Sequence, residues 1–261
     1  MKNDILQKIE TAATPDFGNL LSKSFNLFKR IWVESLVHLL ITMIAVLPFI
    51  VLVYLPFIPI LISSVQGGYA SGFEPFMGYS FLMLLGYFIL LFILIIMMQG
   101  VSIAITAHFF QVCKNEDLGV EKETGDYFAY LKGNNFNKVF MLSLATFGIS
   151  IAALLLCYFP IFYVMVPLQL IIVVFAFNDK LSVSEIIIIS FKLGNKFWLL
   201  LFGLIIVSSM IAQLGVILCF VGLFITAYFV HIPIYYFYKE TIDFNGCTGD
   251  SNDEFLTHYK N

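Results

Sequence analysis

Three histidines stand at matching distances from the residues that bound long apolar stretches: His38 six after Trp32, His108 six before Lys114, His231 eight before Lys239. Such spacing puts the three rings at similar depth, roughly one to two helical turns inside one membrane face. Glu34 lies one turn from His38 on the same helical face, and Gln111 lies close to His108. Imidazoles and a carboxylate at one depth are the minimum for an iron or zinc site, or for a proton relay. Polar groups inside a membrane are costly and therefore functional candidates, yet the same side chains serve equally well as bridges between helices. Gln99, Gln169 and Gln213 fall nearer mid-membrane, where they either line a polar path or bridge helices. Cys157 and Cys219 each end a span at the opposite face, as a candidate disulfide or as two thiols. No GxSxG, HExxH, Walker or GxGxxG pattern is present, so motif-borne chemistry has no support.

The elements that position these residues follow from composition. Of 261 residues 60% are hydrophobic and only 12% charged, with a mean hydropathy of +0.93. Soluble domains are about half apolar and about a quarter charged, so soluble and disordered classes are both excluded. Apolar stretches run through 31–61, 79–110, 139–159, 161–178, 197–220 and 221–238. Each is long enough to cross about 30 Å of hydrocarbon. The expected architecture is all-α: a polytopic bundle of six transmembrane helices arranged as three hairpins. Residues 1–13 form a polar N-terminal segment, 14–238 one membrane domain, and 239–261 a disordered tail. The first two stretches are too long for a 30 Å core, so Pro48 is expected to kink the first and Pro56 and Pro59 to end it, leaving an outer knob at 55–80.

All 14 Lys and Arg lie before the first span, between the second and third, between the fourth and fifth, or after the sixth. The positive-inside rule then places both termini in the cytoplasm of a bacterial inner membrane. The longest basic run is Lys29-Arg30, which excludes a nucleic-acid surface.

Each hairpin is entered in the same way, at Arg30-Ile31-Trp32, Lys138-Val139-Phe140 and Lys196-Phe197-Trp198. The cation and the aromatic ring read as interfacial anchors. Ser24-Phe25-Asn26-Leu27 matches Ser190-Phe191-Lys192-Leu193 at equal distance from Trp32 and Trp198. The chain therefore reads as three copies of an in-plane cytoplasmic helix followed by a hairpin. In the first copy Phe17, Leu20, Leu21, Phe28 and Ile31 share one helical face, with Asn19, Lys23, Asn26 and Arg30 opposite. Thr14-Pro15 opens the first copy, Asp126 the second, and Ser182-x-x-Glu185 is a capping box for the third. Gly133-Asn134-Asn135 should interrupt the middle copy. Ala145, Gly148 and Ala152, and likewise Ser208, Ala212 and Gly215, make small-residue faces suited to close packing.

The segments from Ile189 to Trp198 and from Phe17 to Trp32 resemble the signature of a broad set of bacterial multipass membrane proteins. That set includes DUF975-type proteins and the membrane domain fused to glycerophosphoryl diester phosphodiesterases, and its members often carry the label beta-carotene monooxygenase. The resemblance implies a fold more than an activity. The function expected first is a non-enzymatic scaffold, assembly or lipid-interacting factor without a cofactor, whose partners are membrane lipid or another membrane protein. A small transporter or lipid-handling protein is the second reading. A histidine-metal oxygenase binding iron or zinc through His38, His108, His231 and Glu34 is the third.

Overall fold

Asp16 caps a helix that does not stop at the membrane entry. Its carboxylate accepts the Asn19 N–H at 2.7 Å, and α2 then runs unbroken from Phe17 to Tyr54. Thr14-Pro15 is therefore the approach to the helix and Asp16 its cap. The computed structural model describes residues 2–58, 62, 81–120, 126–133, 135–156, 159–178, 180–217 and 221–242. Among them the elements are α1 (Lys2–Thr11), α2 (Phe17–Tyr54), α3 (Phe81–Leu118), α4 (Asn135–Leu155), α5 (Phe159–Phe177), α6 (Val183–Lys196), α7 (Trp198–Ile217), α8 (Val221–Thr226) and α9 (His231–Ile242). Short 3₁₀ turns lie at Leu55–Phe57, Ala129–Leu131 and Ala227–Val230. The described chain is all-helical, and five helices are long and apolar enough to cross a membrane. The outer knob falls largely, and the C-terminal tail wholly, outside the described residues.

Three expectations change in detail. Among the described residues five continuous candidate spans are found where six are expected, and the last apolar stretch is divided into α8, a 3₁₀ turn and α9. Pro233 has no N–H to offer the Phe229 carbonyl, and that carbonyl instead accepts from His231 in a tightened turn. The in-plane helix of the first copy is not separate: nothing between Phe17 and Pro48 interrupts the hydrogen-bond ladder, so it is the first part of α2. Among the described residues the middle copy has only the 3₁₀ turn before α4, since Gly133 adopts φ +58 where a helix would have to continue.

The third copy forms as expected. Ser182 Oγ accepts the Glu185 N–H while Glu185 Oε2 accepts the Ser182 N–H at 3.0 Å, closing the capping box of α6. The Ser182 N–H and hydroxyl hold the Glu185 carboxyl below its ordinary value of 4.5. A depressed carboxyl stabilises the fold above its ordinary value and loses that contribution as pH falls through its folded value. Ser182→Ala should therefore lower the thermal midpoint slightly at pH 7, and the difference from wild type should shrink on acidification. Thermal scans of both proteins across this pH range read the effect directly.

Packing centres on the last helix. Ile232 to Tyr238 are buried without a break, so this part of α9 is covered on every side, and the helix sits among α1, α2, α3, α5 and α7. α2 packs along α3, α3 and α5 flank α4, and α6 lies on α5, where a Cβ on Gly194 would come within 3.1 Å of Pro167 Cγ. Leu20, Ser24, Leu27, Ile31, Ser35 and His38 form the buried stripe of α2, while Asn19, Lys23, Asn26 and Arg30 stay exposed. α3 ends in a Schellman motif: Gly119, at φ +67, donates to Glu116 O, and Val120 donates to Asn115 O at 2.9 Å.

Candidate functional site

His38 is fully buried on the stripe of α2 that faces α3, and both of its ring nitrogens are engaged. Nδ1 lies 2.7 Å from the Glu34 carbonyl and Nε2 lies 2.8 Å from His108 Nδ1. A carbonyl only accepts, so His38 Nδ1 carries a proton. In the neutral pair His38 Nε2 accepts from His108 Nδ1–H, which leaves His108 Nε2 as the open acceptor. The rings are near parallel, with centroids 5.1 Å apart, and Tyr127 stands 5.0 Å from each. One turn further along α2, Thr42 donates to the His38 carbonyl and shares a 2.8 Å hydrogen bond with Tyr228.

Glu34 and Asp126 lie near enough to His108 to act on it electrostatically, as His38 does, and Asp126 also pairs with Lys132 at 2.7 Å. Burial, with the Glu34 charge second, pushes the Tyr127 phenol above its ordinary value, so it remains protonated at neutral pH. As it stands, the pair clamps α2 to α3 and offers one acceptor position.

His231 does not join this pair. Its ring packs on Phe109, Phe110 and Tyr228, and Phe109 and Tyr228 also lie against His38. Equal depth fixes height along a helix; rotation about the axis decides which side chains meet. His231 Nδ1 is buried without a hydrogen-bond partner. Among the described residues no three His, Cys, Asp or Glu side chains gather into a group able to hold a metal ion.

The glutamines are likewise dispersed in role. Gln99 donates to Thr146 Oγ1 at 2.8 Å and bridges α3 to α4. Gln111 turns from His108 to donate to the Ala176 carbonyl at 2.6 Å and to Tyr130 at 3.1 Å. Gln169 is half-buried on α5, and Gln213 is exposed on α7. The Cys157 and Cys219 pair lies outside the described residues, whereas Cys113 is buried as a free thiol.

At the three membrane entries rings and cations separate. Trp32 and Phe140 remain on the surface, 43% and 38% exposed, and Trp198 stacks on Phe202 at 4.7 Å while its indole N–H donates to the Tyr163 carbonyl. Arg30 meets Glu116 at 3.7 Å. Lys196 donates to the carbonyls of Ile9, Glu10 and Ala12 and closes the C-terminus of α1. Lys8 on α1 in turn donates to the Ile242 carbonyl at the end of α9. Lysines near a helix C-terminus also complement its dipole. Lys138 makes an interaction within the protein as well.

Sequence reasoning missed a second polar cluster. Asp117, at the end of α3, accepts hydrogen bonds from Tyr235 at 2.9 Å and Tyr236 at 2.8 Å and forms an ion pair with Lys239. Its one legible signal was the run Tyr235-Tyr236-Phe237-Tyr238-Lys239, too rich in hydroxyls for a lipid face. Nothing in the cluster leaves a nucleophile beside a base.

Compared with protein-family models, curated proteins and solved structures, the chain has no match.

Proposed function

We propose that this chain is an integral protein of a bacterial inner membrane that works by packing, as a scaffold, assembly or lipid-interacting factor, and carries no chemistry of its own. The observation that supports this is the length and surface of the α2–α3 pair. α4, α5 and α7 have 21, 19 and 20 residues and match a hydrocarbon core of about 30 Å. α2 and α3 have 38 residues each, roughly 57 Å. From its entry at Lys114, α3 runs back to Phe81 over roughly 50 Å, so about 20 Å exceeds the core unless the helix tilts strongly.

That excess carries apolar side chains on every side: Phe81, Leu82, Met83 and Phe88 are 62 to 80% exposed. Apolar surface of this extent is unfavourable in water and calls for lipid or a protein partner. At the opposite end Gln111, Asp117 and Lys239 are meanwhile bonded within the fold. In this reading α8, the 3₁₀ turn and α9 complete a sixth crossing, the crossings pair as three hairpins, and both termini face the cytoplasm with all 14 basic residues. The likeness of the entry motifs to DUF975-type proteins fits the same reading.

A diazirine side chain placed at Phe88 and photolysed in cells tests it. The expected products are adducts with lipid or with a membrane protein. Insertion into water alone would overturn the proposal.

A further inference from the structure

Gln213 lies on the outward face of α7 in an otherwise apolar row. Leu199, Ile206, Met210 and Leu214 on that face are 77%, 39%, 64% and 57% exposed. Gln213 is exposed with them and makes no hydrogen bond to any described residue. It sits about 22 Å along the helix from the Trp198 entry, inside a core of about 30 Å and too deep for so short a side chain to reach headgroups. A carboxamide turned toward hydrocarbon at that depth leaves two donors and an acceptor unsatisfied. The carboxamides of Gln99 and Gln111, in contrast, are bonded within the bundle.

We propose that α7 pairs with α7 of a second copy of this chain about a two-fold axis along the membrane normal, with the two Gln213 side chains hydrogen-bonded to each other. Three features select a second copy. Such an axis brings every residue of α7 opposite its own counterpart at the same depth, so Gln213 necessarily meets an amide. A carboxamide carries both donor and acceptor, and a reciprocal pair satisfies both sides. Leu199, Ile206 and Gln213 recur every seven residues with Met210 beside them, which is the period of a helix–helix seam, and one polar side chain in an apolar seam fixes its register. This inference requires only that α7 crosses a membrane; it does not depend on the packing role proposed for α2 and α3.

The test uses the full chain reconstituted in phospholipid vesicles over a range of protein-to-lipid ratios. A benzophenone side chain at Met210 is expected to give a chain-to-chain adduct, and one at Phe162, equally on the surface of α5, is not. Fluorescence transfer between labelled chains should show a dimer that Gln213→Leu weakens about three- to thirtyfold and Gln213→Asn weakens less. Gln213 has no hydrogen-bond partner among the described residues, so the leucine variant should unfold at the wild-type midpoint. If it does not, the Met210 and Phe162 adducts in the wild-type background decide. A monomer at every dilution, a dimer indifferent to Gln213→Leu in a folded protein, or Met210 adducts with lipid or another protein in place of a second copy would each overturn the proposal.

Discussion

Asp117→Ala should be among the most destabilising single substitutions in this protein, at about 1–3 kcal/mol, the range for leaving a buried hydrogen-bond donor without its partner. Asp117 is 12% exposed and holds the Lys239 ammonium and the hydroxyls of Tyr235 and Tyr236. Tyr235 is fully buried, so truncation at 117 strands its hydroxyl. The loss acts at the contact between α3 and α9, the helix on which α1, α2, α5 and α7 converge. Lys239→Met alone should cost less, because Asp117 keeps two tyrosine donors and Lys239 is 32% exposed. The double variant Asp117→Leu with Lys239→Met should recover part of the loss. Denaturant titration of helicity in detergent for the single and double variants checks all three values. Equal stability of Asp117→Ala and wild type would show that the cluster does not hold α9 in place.

The second large effect is expected at Gly215. A Cβ there would lie 2.5 Å from Gly222 C and from Thr226 Oγ1, closer than side-chain carbons approach anything. α7 and α8 touch backbone to backbone at this point, and Thr226 Oγ1 donates across the contact to the Ala212 carbonyl at 2.7 Å. Gly215→Leu forces the two helices apart and breaks that bond, for an expected loss of about 3 kcal/mol. Gly148 supplies the control. It belongs to the other small-residue face read from the sequence, but a Cβ there meets nothing within 4 Å. Gly148→Leu should therefore leave the unfolding midpoint within about 0.5 kcal/mol of wild type. If the two variants unfold alike, the close approach of α7 and α8 is not as described.

The contrast between these glycines shows where sequence reasoning stops. Spacing identified two faces of small residues as suited to close packing, and only the one on α7 is in close contact at its glycine, because a face is a property of one helix and a contact is a property of two. The same holds for the histidines. Distances from Trp32, Lys114 and Lys239 placed three rings at one depth; the structure paired His38 with His108 and set Phe109 and Tyr228 between that pair and His231. Asp117 escaped notice because it sits more than a hundred residues from its partners, and no local pattern links them.

By itself the sequence determined that the chain is helical and apolar enough to cross a membrane several times, where α6 begins, and which face of the first part of α2 is buried. These follow from composition, from the Ser182–Glu185 spacing and from the 3.6-residue period, all of which act within about a dozen residues. Only the tertiary structure decided that the last apolar stretch breaks at the turn before α9 and that α9 becomes the buried hub. It likewise decided that Lys8 and Lys196 close helix ends within the protein and that Gln213 turns outward while Gln99 finds Thr146. Those outcomes depend on the rotation and contact of whole helices, and a periodic pattern fixes the buried side of a helix without fixing what it is buried against.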